Sequence, residues 1–146
     1  MAITHRVSSG QRRQMIAEAA YFRAERRGFN GGDPITDWVE AETEVNAELR
    51  RLEREHVIER LELAVATATK TLEAFKKKVS KVTADARAEW QEDAEKLRKL
   101  RDTLRKKVGE LREQGEDAGH KAKEQAEKLR DEIGELVDRI GAKIRH

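Results

Sequence analysis

Residues 61–82 read LELAVATATKTLEAFKKKVSKV, and their apolar side chains recur at alternating steps of four and three. This period lasts three heptads, which is typical of a helix that packs along a second helix. The stripe consists of Leu61, Val65, Ala68, Leu72, Phe75, Val79 and Val82. The sequence therefore predicts an all-α protein, coiled-coil-like or an elongated helical bundle, in which this stripe is an oligomer seam.

The stripe lies within a run that lacks helix-breaking residues. Residues 35–108 contain neither glycine nor proline, so one continuous helix can form over all 74 of them. At about 1.5 Å per residue, that helix would be roughly 110 Å long. We predict a long coiled-coil helix over residues 46–113. Its seam continues through Trp90, which lies within a local change of period, and then through Leu97 and Leu104.

Three glycines mark the end of this predicted helix. Gly109, Gly115 and Gly119 weaken it, and residues 114–120 form the predicted glycine-rich break. A C-terminal amphipathic helix follows over residues 121–146. It can fold back as an antiparallel hairpin or continue as a straight rod, and the clustered glycines favour the hairpin.

The N-terminal part is predicted to be a flexible tail over residues 1–10 and a helical hairpin head over residues 11–45. Gly28 ends the first helix, and Asp33 caps a second helix that has Pro34 in its first turn. The predicted head core consists of Ile16, Tyr21, Phe22, Phe29 and Trp38.

Three strings in this head resemble a known pattern. They are IAEAAY at 16–21, RGFNGGD at 27–33 and DWVEAE at 37–42. Residues 12–48 are similar to a short bacterial family known only as a domain of unknown function, with an Ala-Tyr pair, an Arg-Gly loop and an Asp-Trp helix. The resemblance implies a helical hairpin and a bacterial origin, but no reaction.

Composition narrows the class of protein. Charged residues make up 41% of the chain, against about 25% in typical globular domains, and aromatic residues only 4%. Such a composition suits a narrow helix–helix seam better than a broad core. The absence of cysteine excludes disulfides and thiol catalysis. We expect a cytoplasmic protein, since the start lacks an apolar signal region and no stretch is apolar enough to span a membrane.

No residue pattern indicates catalysis or a cofactor. Glu53 and His56 have the Glu-x-x-His spacing of di-iron bundles, but the motif occurs once and its further carboxylates are not evident. A polar seam residue that sets the register is the simpler interpretation of His56. We therefore predict no catalytic, cofactor-binding or metal-binding residues.

Charge is unevenly distributed along the chain. Residues 33–62 hold ten acidic residues and four arginines, whereas residues 96–107 hold seven basic residues and one acid. The basic block is an ordinary solvated face, a surface that pairs with the acidic block of another copy, or a patch for an anionic partner. Its members are Lys96, Arg98, Lys99, Arg101, Arg105, Lys106 and Lys107.

These features favour a non-enzymatic structural or interaction protein, a homo-oligomer that acts as scaffold or adaptor for a further protein partner. An alternative comes from the C-terminal half, which is similar to the amphipathic helices of phasins and apolipoprotein-like proteins. That similarity implies coating of a granule or membrane surface, or a stress-protective role. A third candidate is a nucleic-acid-associated accessory protein that uses the basic block.

Overall fold

The structure is a computed structural model that describes residues 7–115 and 119–145. The described residues form an all-α fold without strands, which confirms the predicted class. The helices are α1 (Ser9–Arg26), α2 (Pro34–Val79), α3 (Ala84–Gln114) and α4 (His120–Arg145). The chain divides into two compact units, one up to Glu53 and the other from Arg54 onward.

Helix α1 begins at a capping box. The backbone N–H of Gln11 donates to Ser8 Oγ at 3.1 Å, and the backbone N–H of Ser8 donates to Gln11 Oε1 at 2.9 Å. The predicted tail over residues 1–10 is therefore wrong at its end, because Ser8 caps the helix and Ser9 begins it. The start of that predicted tail, residues 1–6, lies outside the described part of the chain.

The turn between α1 and α2 has the local chemistry expected from the sequence. Gly28 follows the end of α1 with φ +67°, a left-handed conformation that glycine adopts without strain. Asp33 caps α2, since its carboxylate accepts from the backbone N–H of Ile35 at 3.2 Å and from the Thr36 hydroxyl at 3.3 Å. Both predicted ends of this turn are confirmed.

The core of the N-terminal unit is small. Ile16 is 2% exposed, and it packs with Ala41 and Val45, while Trp38 lies half-buried against them. The predicted aromatic core is wrong for three of its five members, because the rings of Tyr21, Phe22 and Phe29 are exposed. Ile16 and Ala20 define the face of α1 that packs on α2. On a helix of 3.6 residues per turn, the two positions after Ala20, which are Tyr21 and Phe22, point away from that face.

Helix α2 ends at Val79 and α3 begins at Ala84, so the prediction of one long helix over residues 46–113 is wrong. The reason is capping by polar side chains. Thr83 caps α3, and its Oγ1 accepts from the backbone N–H of Ala86 at 3.4 Å. Arg87 then reaches back, and its guanidinium donates to the carbonyl oxygens of Val79 at 3.2 Å and Val82 at 3.5 Å. The carbonyl of Val79 at the end of α2 and that of Val82 in the turn thus have hydrogen-bond donors, and the helix ends without glycine or proline.

In the second unit, the C-terminal part of α2 runs antiparallel to α3. The Phe75 and Trp90 rings pack with their centroids 6.0 Å apart, close to the turn. Farther from the turn, the Arg112 guanidinium forms an ion pair with Glu62. Trp90 therefore packs across a corner within one chain.

Helix α4 folds back on α3. Lys107 Nζ donates to Gln125 Oε1 at 3.2 Å near one end of the pair. At the other end, Lys143 Nζ donates to Asp93 Oδ2 at 2.8 Å. The antiparallel hairpin that the sequence favoured over a straight rod is confirmed, while residues 116–118 of the predicted 114–120 break lie outside the described chain.

The three helices of the second unit share one core. Leu61, Leu97, Leu104, Ile133 and Ile140 are its most deeply buried large side chains. Burying each of them stabilises the fold by about 1.5–3 kcal/mol. The seam predicted to face another chain is thus covered by α3 and α4 of the same chain. A second copy is not needed to bury it.

Candidate functional site

Arg27 ties the end of α1 to the start of α2. Its Nη1 and Nη2 donate to Asp37 Oδ1 and Oδ2 at 2.6 and 2.5 Å, a bidentate pair of the geometry that guanidinium and carboxylate favour. Asp37 is 6% exposed, and its carboxylate has this cation as its partner. The hydrogen bonds from Arg27 lower the pKa of Asp37 below its ordinary value, although desolvation opposes this. The pair holds the intervening loop in place.

Gly32 lets the loop lie close to the Arg27 guanidinium. Its φ is +79°, and a Cβ added there would approach Arg27 Nη2 to 2.5 Å and Cζ to 2.7 Å. A larger residue would therefore push the guanidinium away from Asp37. The ion pair between Arg27 and Asp37 therefore depends on the absence of a side chain at Gly32.

Three exposed rings lie together on the outer side of this hairpin. Tyr21, Phe22 and Phe29 are 56%, 55% and 61% exposed, and we call them the aromatic patch. The Tyr21 ring centroid lies 5.8 Å from that of Phe22 in an edge-to-face arrangement and 5.7 Å from that of Phe29. Half of the chain's six aromatic residues are thus clustered at the surface.

Phe29 adopts a strained backbone conformation to join this patch. Its φ is +59°, and it is the only non-glycine residue with a positive φ in the described part of the chain. The left-handed conformation costs roughly 1–2 kcal/mol for a residue with a side chain. Its backbone N–H donates to the carbonyl oxygen of Ala24 at 2.9 Å, which fixes the turn. The backbone of Phe29 is therefore in an unfavourable conformation, although its ring remains exposed to solvent and gains little from burial.

Charged side chains border the aromatic patch. Glu18 and Glu25 precede and follow Tyr21 by three and four residues on α1, so all three lie on one helix face. Both carboxylates are exposed. Arg26 lies at the edge of the patch, and its Nε donates to the carbonyl oxygen of Phe22 at 3.3 Å.

The aromatic patch, the Arg27–Asp37 pair and the hairpin core all fall within one matched segment. Residues 11–47 match the family described as a protein of unknown function, DUF2934. This match confirms the resemblance inferred from the sequence strings. The DUF2934 segment ends before the second unit begins. No curated protein and no solved structure matches the chain.

Outside the DUF2934 segment, the predicted oligomer seam is divided between core and turn. The buried members are Leu61, Ala68, Leu72, Phe75, Leu97 and Leu104. Val65, Val79 and Trp90 pack against this core with partial exposure. Val82 lies half-buried in the turn between α2 and α3. The structure therefore brings the predicted seam together as one intrachain core.

The predicted basic patch is neutralised only in part on its own helix. Three cations pair with carboxylates one to four residues away: Lys96 with Glu92, Arg98 with Glu95, and Arg101 with Asp102. Lys107 donates to an amide on α4. Lys99, Arg105 and Lys106 are exposed, and the described residues show no ion pair for them. These seven side chains lie on several sides of α3 and do not form one continuous basic surface.

The amphipathic C-terminal helix faces inward. Ala126, Ile133, Leu136 and Ile140 are buried in the shared core. Coating a granule or membrane with this stripe would require the three helices to separate first. None of the described helices combines the length and hydropathy that crossing a lipid bilayer requires.

The Glu53–His56 spacing does not develop into a metal centre in the described residues. In residues 7–115 and 119–145, no group of three or more histidine, aspartate and glutamate side chains is placed to hold a metal ion. His56 is half-buried, and its Nε2 has no hydrogen-bond partner among the described residues. Its position fits a polar side chain at a packed helix face.

One feature of the sequence indicated that Tyr21 and Phe22 do not both belong to the predicted head core. Tyr21 and Phe22 are adjacent on α1, about 100° apart, and cannot both follow the Ile16–Ala20 stripe. Their placement in the core rested on hydrophobicity alone. The position of Phe29 depends on the left-handed backbone of Gly28 and of Phe29 itself, and the spacing of apolar residues in the sequence does not predict such a conformation.

Proposed function

We propose that this protein is a non-enzymatic interaction protein, an adaptor whose N-terminal hairpin binds a protein partner through the aromatic patch. The observation that carries the proposal is the strained Phe29, whose exposed ring packs on the exposed ring of Tyr21. Monomeric soluble proteins seldom expose clustered aromatic rings unless the cluster is an interaction site. Tyrosine and other aromatic side chains are also enriched among the residues that dominate binding energy.

The second unit supports this proposal as a stable body with a core of its own. Its buried apolar side chains pack together within the chain, so the described residues of this unit form a core without a second copy. Self-association through the Leu61–Val82 stripe stays a prediction, and it would require the bundle to open. The same requirement applies to a surface-coating role for α4, and no contact in the described part of the chain favours either alternative.

The proposal can be tested by placing a photo-crosslinking amino acid at Phe29 in the full chain. A matched control carries it at Leu63, an exposed apolar residue of the second unit. A protein crosslinked only from position 29 is then purified, and its affinity for the wild type and for Tyr21→Ala is measured by calorimetry. We expect at least a tenfold loss for Tyr21→Ala, and an unchanged affinity would contradict the proposal.

A further inference from the structure

We infer that the partner of the aromatic patch is a basic protein segment, one that presents arginine or lysine side chains among apolar residues. This inference rests on the proposed function and names the chemistry of its partner. It follows from the charges that border the patch and from the exposure of its aromatic residues.

The carboxylates beside Tyr21 are available to a cation from outside. Glu18 accepts one hydrogen bond from Gln14 Nε2 at 3.3 Å, which leaves its charge uncompensated. For Glu25, the described residues provide neither an ion pair nor a side-chain hydrogen bond. Most other acids of this hairpin are already paired, as in Asp37 with Arg27 and Glu42 with Arg12.

The rings add a second attraction for the same group. A guanidinium or ammonium over the face of an aromatic ring is attracted by the ring quadrupole, by about 0.5–1 kcal/mol at exposed sites. With Glu18 and Glu25 on the same helix face, a cation seated on Tyr21 has carboxylates on both sides along α1. Apolar neighbours of that cation would cover Phe22 and Phe29.

Charge disfavours the other occupants of this patch. A two-fold pairing of two copies centred on Tyr21 and Phe22 would set Glu18 of one copy against Glu25 of the other, and like charges repel. Anionic lipid headgroups and nucleic-acid phosphates meet the same carboxylates. Arg26, the cation at the edge of the patch, keeps its charge, but it is one cation beside the two carboxylates of Glu18 and Glu25.

The test uses the full chain labelled with ¹⁵N and two synthetic helical peptides. Both peptides carry leucine at the same helical spacing, and one has arginine where the other has glutamate. Binding is followed through the backbone amides of the aromatic patch. We expect the arginine peptide to bind at least tenfold more tightly than the glutamate peptide, and the double variant Glu18→Gln/Glu25→Gln to lose this preference. Circular dichroism confirms that the double variant keeps its fold.

The remaining outcomes separate the two proposals. Equal binding of both peptides at the patch would overturn the basic partner, while the aromatic patch would stand as a binding surface. Shifts of these amides with protein concentration alone would overturn it in favour of a second copy. Shifts with vesicles of phosphatidylcholine and phosphatidylglycerol, but with neither peptide, would overturn it in favour of a membrane. The absence of any shift at the patch would count against both proposals.

Discussion

Lys143 of α4 holds the carboxylate of Asp93 on α3 at a distance of 2.8 Å between Nζ and Oδ2. Asp93 is buried, and the side chain of Lys143 is about one-quarter exposed. The hydrogen bond that Lys143 donates to Asp93 raises the pKa of Lys143 above its ordinary value, while burial opposes the shift. Arg139 lies farther from the same carboxylate, at 3.6 Å.

Replacing Lys143 with methionine should destabilise the second unit by about 1–3 kcal/mol, because a buried carboxylate loses its nearest donor. Urea unfolding at pH 7 measures this loss. Lys128→Met on the same helix is the control, since Lys128 is exposed, and we expect it to change stability by less than about 0.5 kcal/mol. Equal effects of both substitutions would show that the Asp93 contact contributes nothing.

The contact between Lys143 and Asp93 makes the stability of the second unit depend on pH in the alkaline range. The raised pKa of Lys143 means that its stabilisation is complete below the ordinary lysine pKa of about 10.4, and is lost as pH rises through the folded-state pKa. We expect the melting temperature of the wild type to fall more steeply above that pH than the melting temperature of Lys143→Met. Parallel curves would contradict this expectation.

The pair of Asp37 and Arg27 makes the stability of the N-terminal unit depend on pH in the acid range. The lowered pKa of Asp37 means that the stabilisation is present above the ordinary aspartate pKa of about 3.9, and is lost as pH falls toward the folded-state pKa. Each unit holds one of the chain's two tryptophans, so Trp90→Phe leaves Trp38 as a reporter of the hairpin. In the Trp90→Phe background, the free energy of unfolding of the hairpin should decrease as the pH falls below about 4. This decrease should be smaller in Asp37→Asn than in the chain that keeps Asp37.

Gly32→Ala tests whether the loop and the ion pair act together. The substitution combines a left-handed backbone, which costs about 1–2 kcal/mol, with displacement of the Arg27 guanidinium. Gly31→Ala is the matched control, because Gly31 has φ +69° but nothing within 4 Å of an added Cβ. Thermal melts should show a larger loss at Gly32. Equal losses would assign the whole effect to the backbone.

The burial of the seam within one chain predicts the state of the protein in solution. Light scattering at low micromolar concentration should give a mass near 16.7 kDa. Leu104→Ala should destabilise the second unit by about 2–5 kcal/mol without changing that mass, whereas Leu63→Ala should have little effect. A stable wild-type dimer that dissociates in Leu104→Ala would contradict this expectation and support the sequence-based prediction of a seam between two chains.

The sequence predicted those features that depend on local chemistry and period. The Asp33 cap and the stop at Gly28 follow from residues whose preferences dominate their surroundings, and the clustered glycines favoured the return of α4 over a straight rod. The end of α2 could not be predicted in this way, since it depends on Arg87 reaching the carbonyls of a preceding helix. A heptad pattern also does not reveal whether its partner helix belongs to the same chain.

The candidate site was harder to predict because its residues are common in cores. Tyr21, Phe22 and Phe29 are apolar enough to be buried. The choice of Ile16 and Ala20 for the packed face leaves Tyr21 and Phe22 outside, and the left-handed turn places Phe29 beside them. The motif strings identified the hairpin. They did not separate Asp37, which holds the loop, from Tyr21, which faces solvent.

The four residues 80–83 have a consequence for assembly. If substitutions of Thr83 and Arg87 joined α2 and α3 into one uninterrupted helix, α3 and α4 would be carried away from the α2 stripe that they now cover. The stripe would then accept the corresponding helices of a neighbouring molecule, and two chains would form an intertwined, domain-swapped dimer. This short turn thus decides whether the chain encloses its own hydrophobic surface or exchanges it.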